Sequence, residues 1–393
     1  MGRTFGSVRG RIVVPGGELD GAVVHLAGGR IERIERPGAP VPPAPGRLDL
    51  PGCRVYPGWI NLHVHGAMGR DFIDPEAGAA EAIARYLATQ GFSGFLATYM
   101  TCSKEALGRA LGHLATLVAA RRPDVSAPLG VHLEGPFLDP AKKGSQPEEH
   151  LAPPSVELLD ALLANVPDGL KVLMTLAPEL PGADRVVDAL LARGAVPAIG
   201  HTQATYARTM EAIRRGARHA VHLLNAMRPL HHREPGVVGA FLTTPGTTVE
   251  IIPDLVHLHP AIVRLVMALR GPDGVVLATD SIAPTGLGEG ERLWAGRTVR
   301  VRGGRATLRD GTMAGSVLET ARMLANLREL GVKAPDVARM LSTNPARVLG
   351  LGAERGEIAE GKRTDLTVVD GDDRVTLVVS DGHAVWAAPE LGL

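Results

Sequence analysis

The segment VYPGWINLHVH, residues 55–65, is a short apolar run that ends in two histidines, His63 and His65. Seven similar runs follow it: GFLATYM (94–100), PLGVHLEGP (128–136), LKVLMTLAPE (170–179), AVPAIGHT (195–202), HAVHLLNAM (219–227), TVEIIPD (248–254) and VVLATDS (275–281). Several are separated by Ala/Leu/Arg-rich segments with a helical period. Eight strands alternating with helices predict a closed, TIM-like (β/α)8 barrel. An open doubly wound sheet is the alternative, but no Gly-rich dinucleotide fingerprint follows the first strand.

The two ends of the chain share a different pattern. Residues 10–36 and 364–386 both contain short β-branched runs separated by GG and DG turn signals. We therefore expect a small β-sandwich domain built from residues 1–55 plus 346–393, and a barrel hydrolase domain from residues 56–345. The proline-rich segment 36–52 predicts an extended surface connection between them.

Composition excludes some kinds of partner. Lys plus Arg and Asp plus Glu both number 42, so no overall basic field exists for nucleic acid or an anionic membrane. No apolar run reaches membrane-spanning length, and the N-terminus lacks the apolar core of a secretion signal. Cys53 and Cys102 have no metal or redox spacing. These features predict a cytoplasmic protein.

Six residues lie at the end of the predicted strands or just after them, and each has a side chain that can bind a metal or transfer a proton. They are His63, His65, Glu134, His201, His222 and Asp280. A lone histidine in a strand is more often a hydrogen-bonded core residue than a metal ligand. For the H-x-H pair alone, the two interpretations are equally supported. Together, at the carboxyl ends of barrel strands where catalytic residues meet, they predict a divalent metal site, with zinc the best match.

Asp280 is the candidate general base. A carboxylate beside a divalent cation can accept a proton from a water that the metal has acidified. Asp280 could also be a further metal ligand, or cap the segment SIAPTG. His132 is expected to be supporting or structural. The other histidines in apparent helix or loop contexts are expected to be solvated or structural: His113, His150, His219, His259 and His383.

Eight motifs, most of which overlap these runs, occur in the same order along the chain as in a known family: PGWINLHVHG, GVHLEGPFLDPAKKG, TLAPE, AIGHTQAT, HLLNAM, REPGVVGA, ATDSIAPTG and AGSVLE. Over almost its whole length the chain resembles the N-acetylglucosamine-6-phosphate deacetylases of the amidohydrolase superfamily. This resemblance implies metal-dependent hydrolysis of N-acetylglucosamine 6-phosphate to glucosamine 6-phosphate and acetate. Two alternatives stay open: an amidohydrolase acting on another N-acyl amino sugar or a cyclic amide, and a catalytically silent scaffold.

The resemblance also implies roles for individual residues. Glu134, His201 and His222 look like ligands of the main metal, His63 and His65 like ligands of a second, and Asp280 like the catalytic acid/base. One or two ions per chain are implied, with zinc preferred over iron, manganese or cobalt. The substrate-binding positions are Ser145, Gln146, Asn225, Ala226, Arg233, Asp254, His257, Met313, Ala314 and Gly315. A homodimer is implied, in which His257 reaches the neighbouring active site.

Two positions depart from the family pattern. Gln146 stands where a histidine commonly touches the substrate near the reacting amide, and it cannot carry a charge. Leu255 replaces a glycine in the PDLVH segment, which narrows the freedom of that loop. Both affect the expected acyl-sugar preference more than the expected reaction.

Overall fold

Eight parallel strands form the central sheet of the computed structural model, which describes residues 4–36 and 46–392. The strands are β1 (Trp59–Asn61), β2 (Phe92–Met100), β3 (Ala127–Glu134), β4 (Lys171–Leu176), β5 (Val196–Ile199), β6 (His219–Ala220), β7 (Thr248–Ile251) and β8 (Val275–Leu277). They are hydrogen-bonded in sequence order from β1 to β8. The predicted (β/α)8 fold is confirmed, with each strand inside its predicted run or extended by a few residues.

A helix follows each of the first seven strands. These helices are α1 (Ala79–Thr89), α2 (Lys104–Ala120), α3 (Val156–Leu163), α4 (Ala183–Ala192), α5 (Tyr206–Arg215), α6 (Gly236–Thr243) and α7 (Pro260–Arg270). Local sequence explains several starts: Ser103, Ser155 and Thr205 each accept a hydrogen bond from the first turn of the helix that follows. Among the described residues, no helix is long and apolar enough to cross a membrane.

The barrel closes just beyond the ends of β1 and β8. Asp280 donates its backbone N–H to the carbonyl of His63 at 3.0 Å, and Val64 forms a parallel bridge with Ser281. This closure places the H-x-H pair directly beside Asp280. The polar residues that follow the first and last strands of the barrel therefore lie next to each other.

Two apolar layers hold the barrel. Inside it, side chains from most strands pack around Ile60, Leu62 and Val276, which are at most 2% exposed. A larger cluster lies between the strands and the surrounding helices. Each buried Leu or Ile contributes about 1.5–3 kcal/mol relative to an exposed one. The polar site at the mouth therefore rests on a rigid apolar frame.

Both chain ends build one separate seven-stranded sheet, which confirms that the two ends share a β-structure of their own. Its strands are Ser7–Val14, Gly17–Ala27, Arg30–Glu35, Arg47–Pro57, Leu366–Val369, Val375–Ser380 and His383–Ala387. Their apolar faces pack as one cluster that includes Val8, Ile12 and Leu377. The proposed domain boundaries stay a prediction. Residues 37–45 of the expected surface connection lie outside the described residues, whereas residues 47–52 belong to the strand Arg47–Pro57 rather than to a connection.

A four-stranded antiparallel sheet follows the barrel and was not anticipated. Its strands are Gly290–Trp294, Arg297–Arg302, Arg305–Thr307 and Met313–Ser316. The indole N–H of Trp294 donates to the carboxylate of Asp71 at 2.6 Å, which ties this sheet to the loop after β1. The last strand lies beside the barrel mouth, because the backbone N–H of Ser316 donates to the carbonyl of Asp280 at 2.8 Å. The chain then continues through α8 (Thr320–Glu329), α9 (Ala334–Ala338), the π-helical turn Arg339–Thr343 and α10 (Asn344–Val348).

Candidate active site

The six predicted metal-binding and proton-moving residues converge at the carboxyl ends of the barrel strands. Three of them, His201, His222 and Asp280, have positive φ angles of 48°, 28° and 49°. Non-glycine residues rarely adopt this backbone conformation, and it is concentrated at functional sites. The chain turns sharply as each strand ends, and these turns bring the side chains to the mouth of the barrel.

Glu134, His201 and His222 form the first group of potential ligands. Oε1 of Glu134 lies 3.1 Å from Nε2 of His201 and 3.0 Å from Nε2 of His222. The two Nε2 atoms are 3.1 Å apart. All three residues are buried, with at most 6% exposed. Three metal-binding atoms from three strands therefore face one small volume.

Hydrogen bonding shows why this group suits a cation. Nδ1 of His201 lies 2.8 Å from the carbonyl oxygen of Lys142, which can only accept, so Nδ1 carries the hydrogen. In the neutral ring, Nε2 then presents a lone pair to Glu134 and His222. Converging lone pairs and a carboxylate repel each other without a positive charge between them. The residues present fit a bound divalent metal ion.

His63, His65 and Asp280 form the second group. The Nε2 atoms of the two histidines are 3.3 Å apart, which confirms that the H-x-H pair shares one side of the chain. Oδ1 of Asp280 lies 3.4 Å from the first and 3.5 Å from the second. Glu134 also lies 3.4 Å from His63 and 3.3 Å from His65, so its carboxylate adjoins both groups. The geometry fits two neighbouring metal positions that share Glu134.

Asp280 is held in its ionised form by its surroundings. Burial by itself favours the neutral acid, but the imidazoles of His63 and His65 outweigh it and lower the pKa of Asp280 below its ordinary value. An ionised carboxylate beside a metal position can accept a proton at neutral pH. The position and charge of Asp280 therefore match the requirements of a general base.

A cavity of about 310 Å³ opens above the two groups. Eight of the ten predicted substrate-binding residues line it: Ser145, Gln146, Asn225, Ala226, His257, Met313, Ala314 and Gly315. At Gly315, φ is 128° and an added Cβ would lie 2.7 Å from Ile282 and 3.0 Å from the carbonyl oxygen of Asp280. Only glycine lets this strand pass so close to the candidate base.

Gln146 is engaged with the first metal group. Its amide nitrogen donates to Oε2 of Glu134 at 2.5 Å, and its carbonyl oxygen accepts the backbone N–H of Thr101 at 2.8 Å. The side chain is only 2% exposed. The second amide hydrogen is not used in this contact, and the residue lines the cavity. Gln146 therefore orients Glu134 in addition to any contact that it makes with a substrate.

His257 lies at the cavity of its own chain, and its expected reach into a neighbouring active site stays a prediction. His257 lines the cavity of its own chain, because the loop after β7 turns into the mouth of its own barrel. Its Nδ1 lies 2.6 Å from Oδ2 of Asp254. Burial would lower the pKa of His257, but this hydrogen bond outweighs it and raises the pKa above its ordinary value. Leu255, between them, has a φ of 60°.

Two predicted substrate-binding residues are not among those that line the cavity. Asp254 lies behind His257 and also accepts the backbone N–H groups of Val256 and His257 at 2.9 Å. Arg233 is exposed in the loop before α6, where its guanidinium donates to Nε2 of His232 at 2.8 Å. Asp254 therefore positions His257, which lines the cavity. Arg233 lies at the surface, outside the cavity of its own chain.

Sequence reasoning missed two buried residues behind the metal groups. His219 was expected in a helix or loop context, but it lies in β6, is 1% exposed and contacts Oγ1 of Thr248 at 2.8 Å. Glu250 lies in β7, is 0% exposed and was not singled out. The available signal was a charged residue inside the otherwise apolar run TVEII, where a strand carboxylate needs a partner.

The architecture and the site define a class of protein. A model of the amidohydrolase family matches residues 54–385, which include all eight barrel strands and both ligand groups. The chain therefore belongs to the amidohydrolase family.

Individual relatives narrow this placement. The chain is 34% identical over 385 residues to N-acetylglucosamine-6-phosphate deacetylase of Bacillus subtilis, covering 96% of each. It is 33% identical over 374 residues to an N-acetylgalactosamine-6-phosphate deacetylase of Escherichia coli, covering 95% of this chain and 97% of that one. A mutant N-acetyl-D-glucosamine-6-phosphate deacetylase of Mycobacterium smegmatis, solved in complex with N-acetyl-D-glucosamine-6-phosphate, superposes with a TM-score of 0.88 at 31% identity, covering 98% and 100%. Within the amidohydrolases, the chain belongs to the N-acetylglucosamine-6-phosphate deacetylases.

Proposed function

We propose that this protein hydrolyses N-acetylglucosamine 6-phosphate to glucosamine 6-phosphate and acetate. The observation that carries the proposal is the placement of Asp280 within 3.5 Å of both His63 and His65, beside a buried Glu134, His201 and His222 group. The same cavity is lined by His257, whose side chain can donate a hydrogen bond to a phosphate group. Relatives at 34% identity over nearly the whole chain support the same activity.

The reaction needs a base, an acid and a stabilised oxyanion. Glu134, His201 and His222 would hold a divalent metal ion, which would supply the Lewis acidity that lowers the pKa of a water and polarises the acetyl carbonyl. Asp280 accepts the proton from the attacking water and then gives it to the departing amine nitrogen. The remaining hydrogen of the Gln146 amide can donate to the oxygen where negative charge develops.

We assign zinc as the preferred ion because imidazole and carboxylate ligands of this mix suit it best. Iron, manganese or cobalt can bind the same donor set. His63, His65 and Asp280, together with Glu134, provide for a second ion. One or two ions per chain are therefore proposed, and elemental analysis distinguishes these cases.

The phosphate is assigned to His257, whose raised pKa favours the imidazolium that a phosphate prefers. Arg233 is the other phosphate residue implied by the family resemblance, and a guanidinium can grip phosphate bidentately. Since Arg233 does not line its own cavity, we propose that it completes the site of a second copy of the chain in a homodimer. In this proposal His257 serves its own site and Arg233 the partner's, whereas the family resemblance implied that His257 reaches the partner's site.

The proposed location is the cytoplasm. Cys53 and Cys102 are both free, as in proteins from a reducing compartment, and a phosphorylated sugar is an intracellular metabolite.

A direct assay tests the proposed function. Release of free amine should be fast with N-acetylglucosamine 6-phosphate and at least about a hundredfold slower with unphosphorylated N-acetylglucosamine, because two charged phosphate contacts are lost. N-Acetylgalactosamine 6-phosphate is the second candidate, since a relative named for that substrate is 33% identical. Equal rates with and without the phosphate would refute the proposed substrate class.

A further inference from the structure

Glu250 is a fully buried carboxylate in the middle of β7, and the proposed reaction does not use it. Its side chain is 0% exposed. Placing a charged group in a protein interior costs several kcal/mol unless hydrogen bonds or opposite charges compensate. A carboxylate at this place is therefore expected to have a specific task, which its contacts identify.

One oxygen of Glu250 contacts both ligand groups. Oε1 lies 2.8 Å from Nδ1 of His63 and accepts the backbone N–H of His222 at 3.1 Å. Because an ionised carboxylate only accepts, Nδ1 of His63 must carry the hydrogen, and Nε2 of a neutral ring then presents its lone pair. That Nε2 is the atom that faces Nε2 of His65 at 3.3 Å. Glu250 thus fixes both the tautomer and the direction of the His63 ring.

His219 lies behind the second oxygen. Oε2 of Glu250 and Nε2 of His219 are both buried without a hydrogen-bond partner, and they lie 3.8 Å apart. Nδ1 of His219 is engaged by Oγ1 of Thr248 at 2.8 Å. A small shift of either side chain closes this gap to a hydrogen bond. With such a shift, hydrogen bonds would connect Thr248 and His219 through Glu250 to His63.

We infer that Glu250 is a positioning residue for the group His63, His65 and Asp280, and that it determines how tightly this group holds a divalent ion. The inference rests on the proposed function, because it requires His63 to be a metal ligand. Carboxylates behind metal-binding histidines typically change metal affinity about 10- to 100-fold. In the first group Glu250 accepts only the backbone N–H of His222 and contacts no ligand nitrogen, while the carbonyl of Lys142 orients the His201 ring. The first ion therefore depends much less on Glu250.

The test is a metal titration of the full-length protein after its metals have been removed, with Zn²⁺ followed by calorimetry and Co²⁺ by absorption spectroscopy. In Glu250→Gln, which keeps the size of the side chain, the second equivalent should bind about 10- to 100-fold more weakly. The first equivalent should change by less than about threefold, and the Co²⁺ spectrum of the second site should weaken selectively. In a His63→Ala background, adding Glu250→Gln should cause no further loss.

Thr175→Val is the matched control. It removes a fully buried 2.7 Å hydrogen bond to His132, whose ring centroid lies 4.5 Å from that of His63, but it touches no ligand nitrogen. Both equivalents should bind this variant as they bind the wild type. Should Glu250→Gln fail to fold, Glu250→Asp, which withdraws the carboxylate from His63, should show the same selective loss.

The outcomes separate this inference from the proposed function. Wild-type binding of two ions together with unchanged binding of both by Glu250→Gln overturns the role of Glu250 and leaves the deacetylase proposal standing. A further loss of metal in the His63→Ala background also overturns it, because Glu250 would then act through another residue. Wild-type protein that binds one ion overturns the inference alone, whereas protein that binds none overturns both.

Discussion

The amide of Gln146 donates to the carboxylate of Glu134 at 2.5 Å. Glu134 adjoins both ligand groups, so a residue that fixes its orientation acts on the whole site. A charge-assisted hydrogen bond of this kind is worth about 1.5–3 kcal/mol.

Removing this hydrogen bond should weaken the binding of the first metal ion. Gln146→Leu keeps the volume but leaves Glu134 free to rotate, and we expect the affinity for the first Zn²⁺ to fall about tenfold or more. Gln146→His should retain most of the affinity, since an imidazole can also donate to Glu134. Calorimetric titration of both variants makes the comparison. Equal affinities for Gln146→Leu and wild type would show that Glu134 is oriented without Gln146.

The His257 and Asp254 pair predicts how substrate binding depends on pH. The pKa of His257 is raised, so its imidazolium, and with it the contact to phosphate, persists above pH 6.5 and is lost as the pH rises through the raised pKa. KM should therefore increase on the alkaline side by about tenfold, with a smaller change in kcat.

The variant Asp254→Asn tests the origin of that shift. It removes the carboxylate that stabilises the imidazolium, so the increase of KM should begin at a lower pH than in the wild type. His257→Asn, which lacks the titrating ring, should show a high KM with no inflection in this range. If the pH dependence of KM is the same in Asp254→Asn and in the wild type, His257 does not bind the phosphate.

The H-x-H pair should determine the number of metal ions. Replacing both His63 and His65 with Ala is expected to lower the metal content from near two toward one per chain, because Glu134, His201 and His222 are left intact. Inductively coupled plasma mass spectrometry gives the count. An unchanged count would mean that these two histidines are not ligands.

The barrel and the polar strand ends could be predicted from the sequence because both depend on local patterns. Apolar runs of strand length alternate with helical segments, and His63, His201 and Asp280 follow such runs directly. Side chains at the carboxyl ends of barrel strands meet in space whatever the details of packing. The convergence of these residues was therefore foreseeable without coordinates.

Other features depend on contacts between distant segments. Glu250 contacts His63 and His222 only because β7 enters the ladder at one particular register beside β6 and close to β1. The direction in which the His257 loop turns and the partner of the Gln146 amide are likewise set by tertiary packing. No local pattern encodes these contacts.

The central claim is that Asp280 is the proton acceptor of a metal-dependent deacetylation. The most direct measurement compares amine release from N-acetylglucosamine 6-phosphate, and metal content, in wild type and Asp280→Asn. Loss of a general base costs about 10²- to 10⁴-fold in rate, so the variant should lose at least about 99% of kcat while keeping its first metal. A variant that retained more than about a tenth of the wild-type rate with its first metal still bound would contradict the claim.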